Sequence, residues 1–74
     1  MNKTFYEFLC EEQSAGRLQT YFKAGVMSGM KRKMEIFAFH LANPAKSQWQ
    51  VAVFFNFSKK EIWRIYQLMN QVID

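Results

Sequence analysis

The sequence predicts an α+β domain in which an N-terminal helix, kinked or split in two, is followed by an antiparallel β-hairpin and a C-terminal helix, in the order α(α)ββα. Three observations predict it. Thr4–Glu7 and Ser58–Glu61 both match the capping-box pattern, in which a hydroxyl and a carboxylate three residues on satisfy the first orphan amides of a helix. Each opens a run whose apolar residues recur at three- and four-residue spacing. From Met34 the apolar period changes to two, and the residues become aromatic and branched, as strands prefer.

The first helix starts near Thr4 and reaches about Gln13. Ser14 and Gly16 weaken its continuation, so a kink or a second helix from Ser14 to about Met27 carries Ala15, Leu18, Tyr21, Phe22 and Val26. Ser28-Gly29 is expected to stop it, because glycine past a helix end takes the left-handed conformation cheaply. The strands are then expected at Met34–Leu41 and Trp49–Phe57, joined by a turn at Ala42–Ser47 around Pro44. Matching their faces sets Leu41 opposite Trp49, Phe39 opposite Val51 and Phe37 opposite Val53. The last helix runs from Ser58 to the carboxyl end. Its polar positions Lys60, Arg64, Gln67, Gln71 and Asp74 form one narrow stripe, so the remainder is expected to be covered on more than one side.

Seventy-four residues allow a single small domain, spanning 1–74. Half of the residues are hydrophobic and 18% aromatic, which excludes intrinsic disorder. The lone Cys10 excludes an intrachain disulfide framework and a cysteine-rich zinc site. It reads as a small buried hydrophobe. Glu7 and Glu11-Glu12 interrupt the N-terminal apolar run too early for a signal peptide, and no stretch is long enough to span a bilayer. The expected location is therefore the cytoplasm, with no membrane partner.

Catalytic chemistry finds little support. Nucleophilic catalysis needs a base beside a hydroxyl or thiol, and the single histidine, His40, lies in a predicted strand with no acidic neighbour in sequence. There is no HxxxH, CxxC or acidic loop for a metal, and Gly16, Gly25 and Gly29 make no phosphate loop. Glu7 and Glu11 lie one helical turn apart, a spacing that also suits a solvated acidic face near a helix N-terminus. No enzyme activity and no cofactor are predicted.

Two surface features point to binding. In the predicted register Lys31 faces Lys59, so Lys31, Arg32, Lys33, Lys59, Lys60 and Arg64 meet where the hairpin opens and the last helix begins. Such a corner suits nucleic-acid phosphate or an acidic protein surface, and equally a solvated edge that blocks aggregation. The second feature is apolar surplus, with Ile36, Ala38, His40 and Phe54 on the outer strand face and Trp63 and Tyr66 on the last helix expected to form an interface.

These features predict a non-enzymatic protein that docks on a larger protein or nucleoprotein complex and modulates it, most simply as an inhibitor. Compact phage and mobile-element proteins that act against host defences offer an analogy of size and style alone. The apolar surplus also predicts a homodimer, or a different protein that completes the core. The alternative is a small nucleic-acid-binding protein using the Lys31–Lys33 and Lys59–Lys60 patch.

Overall fold

Thr4 begins a helix in the way its side chain predicts. In the computed structural model, which describes residues 2–73, its hydroxyl accepts from the Glu7 amide at 3.1 Å while the Glu7 carboxylate accepts from the Thr4 amide at 2.8 Å. The helix so capped, α1, covers Phe5–Ser14. It closes with a Schellman turn, in which the Gly16 amide donates to the Gln13 carbonyl and the Arg17 amide to that of Glu12. Gly16 sits at φ +73°, where a Cβ would be strained.

A short 3-10 turn, Leu18–Thr20, follows in place of the expected second helix over Ser14–Met27. It is held by Glu12. This buried carboxylate takes both Nε and Nη2 of Arg17 and, at 2.7 Å, the Tyr21 hydroxyl, while Leu18 beside it is buried in the core. The Arg17 guanidinium, then the Tyr21 hydroxyl, hold the Glu12 carboxyl below the usual range.

The chain then departs from the predicted hairpin. Ala24–Ala42 is one helix of 19 residues, α2, and Gln48–Phe55 is another, α3. Neither predicted strand exists, so the register pairing Leu41 with Trp49, Phe39 with Val51 and Phe37 with Val53 is overturned, as is the juxtaposition of Lys31 with Lys59. Ser28-Gly29 does not stop a helix but lies within α2, because Met27 and Met30 on either side pack against the core and carry the helix across. The loop around Pro44 is present, and Asn43 caps α2 by donating both its amides to the Phe39 carbonyl.

Two features of the residues account for helix where period two suggested strand. In an almost wholly apolar stretch both periods fit, and Met27, Met30, Met34 and Phe37, with Lys33, Ile36, His40 and Asn43 beside them, form two adjacent helical stripes that are buried or half-buried. Ser47–Gln50 is moreover a third capping box, with bonds of 3.2 and 2.8 Å. At its other end α3 closes on Asn56 in the left-handed region, φ 60°, with Phe57 donating to the Ala52 carbonyl at 2.9 Å. Caps at both ends suit a helix of only eight residues. A bare two-stranded hairpin is marginal in water.

Helix α4, Lys59–Met69, opens on the Ser58–Glu61 capping box as expected. It ends earlier than predicted, since Val72–Ile73 form a strand, β2, antiparallel to β1, Lys3–Thr4. Thr4 pairs with Val72 and Lys3 with Ile73, and the Phe5 amide reaches the Gln71 carbonyl at 2.7 Å. The end of the predicted polar stripe, Asp74, lies outside the described residues. The fold is therefore mainly helical, with a two-stranded ribbon tying its ends.

All four helices supply the deepest core: Leu9 from α1, Ile36 from α2, Val51 from α3, and Ile62 and Met69 from α4. Aromatic rings link three of them. Phe37 packs its ring against Tyr6 at 4.9 Å and Tyr66 at 5.8 Å, both edge-on, and so joins α1, α2 and α4.

Phe37→Ala is expected to cost about 3–5 kcal/mol, much of the ~4–11 kcal/mol typical of a chain this long, read as a fall in the urea midpoint. Gly29→Ala should raise the unfolding free energy obtained from that titration by about 0.5–1 kcal/mol, since a Cβ there meets nothing within 4 Å, whereas Gly16→Ala should lower it by about 1 kcal/mol. Because the folded carboxyl of Glu12 titrates below its unfolded value, its contribution is complete above about pH 4.3 and is lost as pH falls through the depressed value. Thermal midpoints followed from pH 6 to pH 3 should thus drop less in Glu12→Gln than in the parent.

Candidate functional site

Helix α3 has the sequence Gln-Trp-Gln-Val-Ala-Val-Phe-Phe, with no charged residue. Val51, Ala52 and Phe55 point into the core. At 100° per residue the opposite side must then carry Trp49, Gln50, Val53 and Phe54. These are exposed, Trp49 by 63%, Val53 by 61% and Phe54 by 65%. Phe54 is also stacked on the half-buried Phe39 of α2, 4.6 Å between centroids, so its ring is held in a fixed place. A helix apolar on every side normally belongs in an interior. Here half of it faces solvent.

The exposed charges in the segments flanking α3 are mainly positive. From Ile36 to Lys60 there is no acidic residue, and Lys46, Lys59 and Lys60 lie exposed just before α3 and just after it. The guanidinium of Arg32 stands 5.1 Å above the Phe55 ring while also pairing with Glu35 at 3.0 Å.

The basic residues singled out by sequence are not gathered in one corner. Consecutive positions on a helix diverge by about 100°, and Lys31, Arg32 and Lys33 accordingly face three ways. Lys31 lies beside Tyr6 and Cys10 of α1, Arg32 over Phe55 of α3, and Lys33 in a cleft with Arg64 of α4. Lys59 and Lys60 are exposed at the start of α4.

The expected apolar interface likewise divides. Ile36 is fully buried and Tyr66 nearly so, and both belong to the core; Ala38, Phe54 and Trp63 are exposed, and His40 is half-buried. The apolar interface expected from the sequence does not include Trp49 and Val53. Their signal was the third capping box, which makes 49 and 53 neighbours one helical turn apart.

His40 and Tyr66 are stacked 4.2 Å apart, and among the described residues neither His40 Nδ1 nor the Tyr66 hydroxyl finds a hydrogen-bond partner although both atoms are buried. Burial pushes the Tyr66 hydroxyl pKa up. No three metal-ligating side chains gather among the described residues, and no described helix is long and apolar enough to cross a membrane.

Comparison with known proteins finds no matching family model, no matching curated protein and no matching solved structure.

Because a buried hydroxyl without a partner is a net cost, Tyr66→Phe should leave stability unchanged or raise it by up to about 1 kcal/mol, with the ring stack kept. Guanidinium denaturation of the two proteins at pH 7 measures the difference directly.

Proposed function

We propose that this chain is a non-enzymatic interaction protein that docks on a larger protein through the outer face of α3. One observation carries the reading: an uncharged helix, capped at both ends, holds Trp49, Val53 and Phe54 towards solvent. Exposed apolar groups in such a cluster mark interaction sites more often than solvated surface.

Magnitudes indicate what the partner must supply. Covering the exposed parts of Trp49 and Phe54 removes roughly 250 Å² of aromatic surface, worth about 6 kcal/mol at ~25 cal/mol per Å². Association itself costs about 4–15 kcal/mol. Further contacts are therefore required, and Lys46, Lys59 and Lys60 favour a partner whose apolar groove has an acidic rim. A second copy of this chain is the poorer fit, since a symmetric pairing of α3 faces would bring the same lysines together. Occupying such a groove is itself a way to modulate the larger protein.

Incorporation of a photo-crosslinking residue at position 53, with position 19 on the 3-10 turn as the control, tests the reading in the native host. A discrete protein adduct formed from position 53 alone is expected. With that protein in hand, Trp49→Ala should weaken binding about thirtyfold or more, as loss of an interfacial tryptophan typically does, while changing folding stability by less than about 0.5 kcal/mol. Equal capture from both positions, or binding to DNA or RNA that falls steeply with salt and ignores Trp49→Ala, would replace this reading with non-specific contact or nucleic-acid binding respectively.

A further inference from the structure

A cleft of about 300 Å³ lies between α2 and α4, lined by Lys33, Phe57, Glu61, Arg64, Ile65 and Leu68. Its composition is two-sided. Phe57, Ile65 and Leu68 supply its apolar lining, and among the described residues neither Lys33 nor Arg64 has an ion-pair partner within 4 Å.

The one acidic group present is already engaged. Glu61 accepts from the Ser58 amide at 3.0 Å within the helix cap, and that backbone bond, followed by the Ser58 hydroxyl, keeps its carboxyl below the usual range. Glu61 therefore remains an anion committed to the end of α4, and with the two cations it leaves the cleft one positive charge in excess. A guest that satisfies this cleft needs one negative charge at the Lys33–Arg64 side and an apolar body against Ile65, Leu68 and Phe57.

We propose that the α2–α4 cleft is a binding site for a carboxylate carried on an apolar group, with Lys33 and Arg64 as the anion-binding pair. The guanidinium offers the paired donors that match a carboxylate, and the ammonium adds a second charge. The volume is at the lower end for ligand sites, which suits a short aliphatic or aromatic body. This chemistry occurs in a free alkanoate and also at the carboxyl end of a peptide whose last side chain is apolar. The site is built from α2 and the Arg64–Leu68 flank of α4, not from the outer face of α3, so it stands or falls independently of the docking surface proposed above.

Two-dimensional NMR of the isotope-labelled full chain, titrated with sodium octanoate at low ionic strength, tests the assignment. Saturable shifts are expected at the Ile65 and Leu68 methyls and the Arg64 side chain, with a Kd on the order of 1 mM. Octanamide, which lacks the charge, and acetate, which lacks the body, should each bind at least about tenfold more weakly. Arg64→Gln and Lys33→Gln should each weaken octanoate about tenfold while leaving the rest of the spectrum in place. Short peptides ending in leucine, as free acid and as amide, form the second arm. Shifts from the acid peptide at octanoate-like concentrations would identify a chain end as the natural source, and shifts from octanoate alone a free small molecule. No saturable shift from either, equal binding of octanoate and octanamide, or indifference to Arg64→Gln and Lys33→Gln would overturn the proposal.

Discussion

Phe37 occupies the point on which this fold depends. One ring on α2 meets Tyr6 of α1 and Tyr66 of α4, and the neighbouring position, Ile36, is sealed from water altogether. Two adjacent buried residues on a helix cover an arc of about 100°, so α2 must be enclosed on two sides at once. The other helices have little choice of place. Leu9, Val51, Ile62 and Met69 close around this arc from three directions, and the β1–β2 ribbon fastens the two ends of the chain to each other.

A chain of this size cannot enclose every apolar residue it carries. The four helices bury their inner faces, and of the large apolar residues left exposed, Trp49, Val53 and Phe54 share the outer face of α3. That helix is short, uncharged and terminated at both ends by hydrogen bonds of its own, so it holds its shape without the outer face being covered. The stack of Phe39 on Phe54 extends the core's aromatic packing to the surface. In the docking role proposed for this face, Phe54, already stacked on Phe39, would lose little side-chain freedom on binding.

Charge is distributed by the same geometry. Lys31-Arg32-Lys33 is a cluster only along the chain; winding it into α2 sends one cation towards α1, one over the Phe55 ring and one towards α4. The pairing that matters in space, Lys33 with Arg64, joins residues 31 positions apart and no spacing rule would select it. It exists because α2 packs against α4, with Phe57, Glu61, Ile65 and Leu68 lining the same cleft.

The sequence by itself determined where α1 and α4 begin, whereas α2 starts at Ala24 with no side-chain cap. Thr4–Glu7 and Ser58–Glu61 close the hydrogen bonds their residue types foretell, because a cap is local and needs nothing beyond four consecutive residues. Ser47–Gln50 obeys the same rule and was legible too, though a strand-like alternation stood over it. What only the tertiary structure decided was the conformation of Met34–Leu41 and Trp49–Phe57 and the grouping of the surface residues. In a nearly unbroken apolar run every period has its matches, and the choice between strand and helix rests on which arrangement buries Ile36, Phe37, Val51 and Phe55 together. That burial is a property of contacts between distant segments, so it settles the fold, and with it the exposure of Trp49 and the meeting of Lys33 with Arg64.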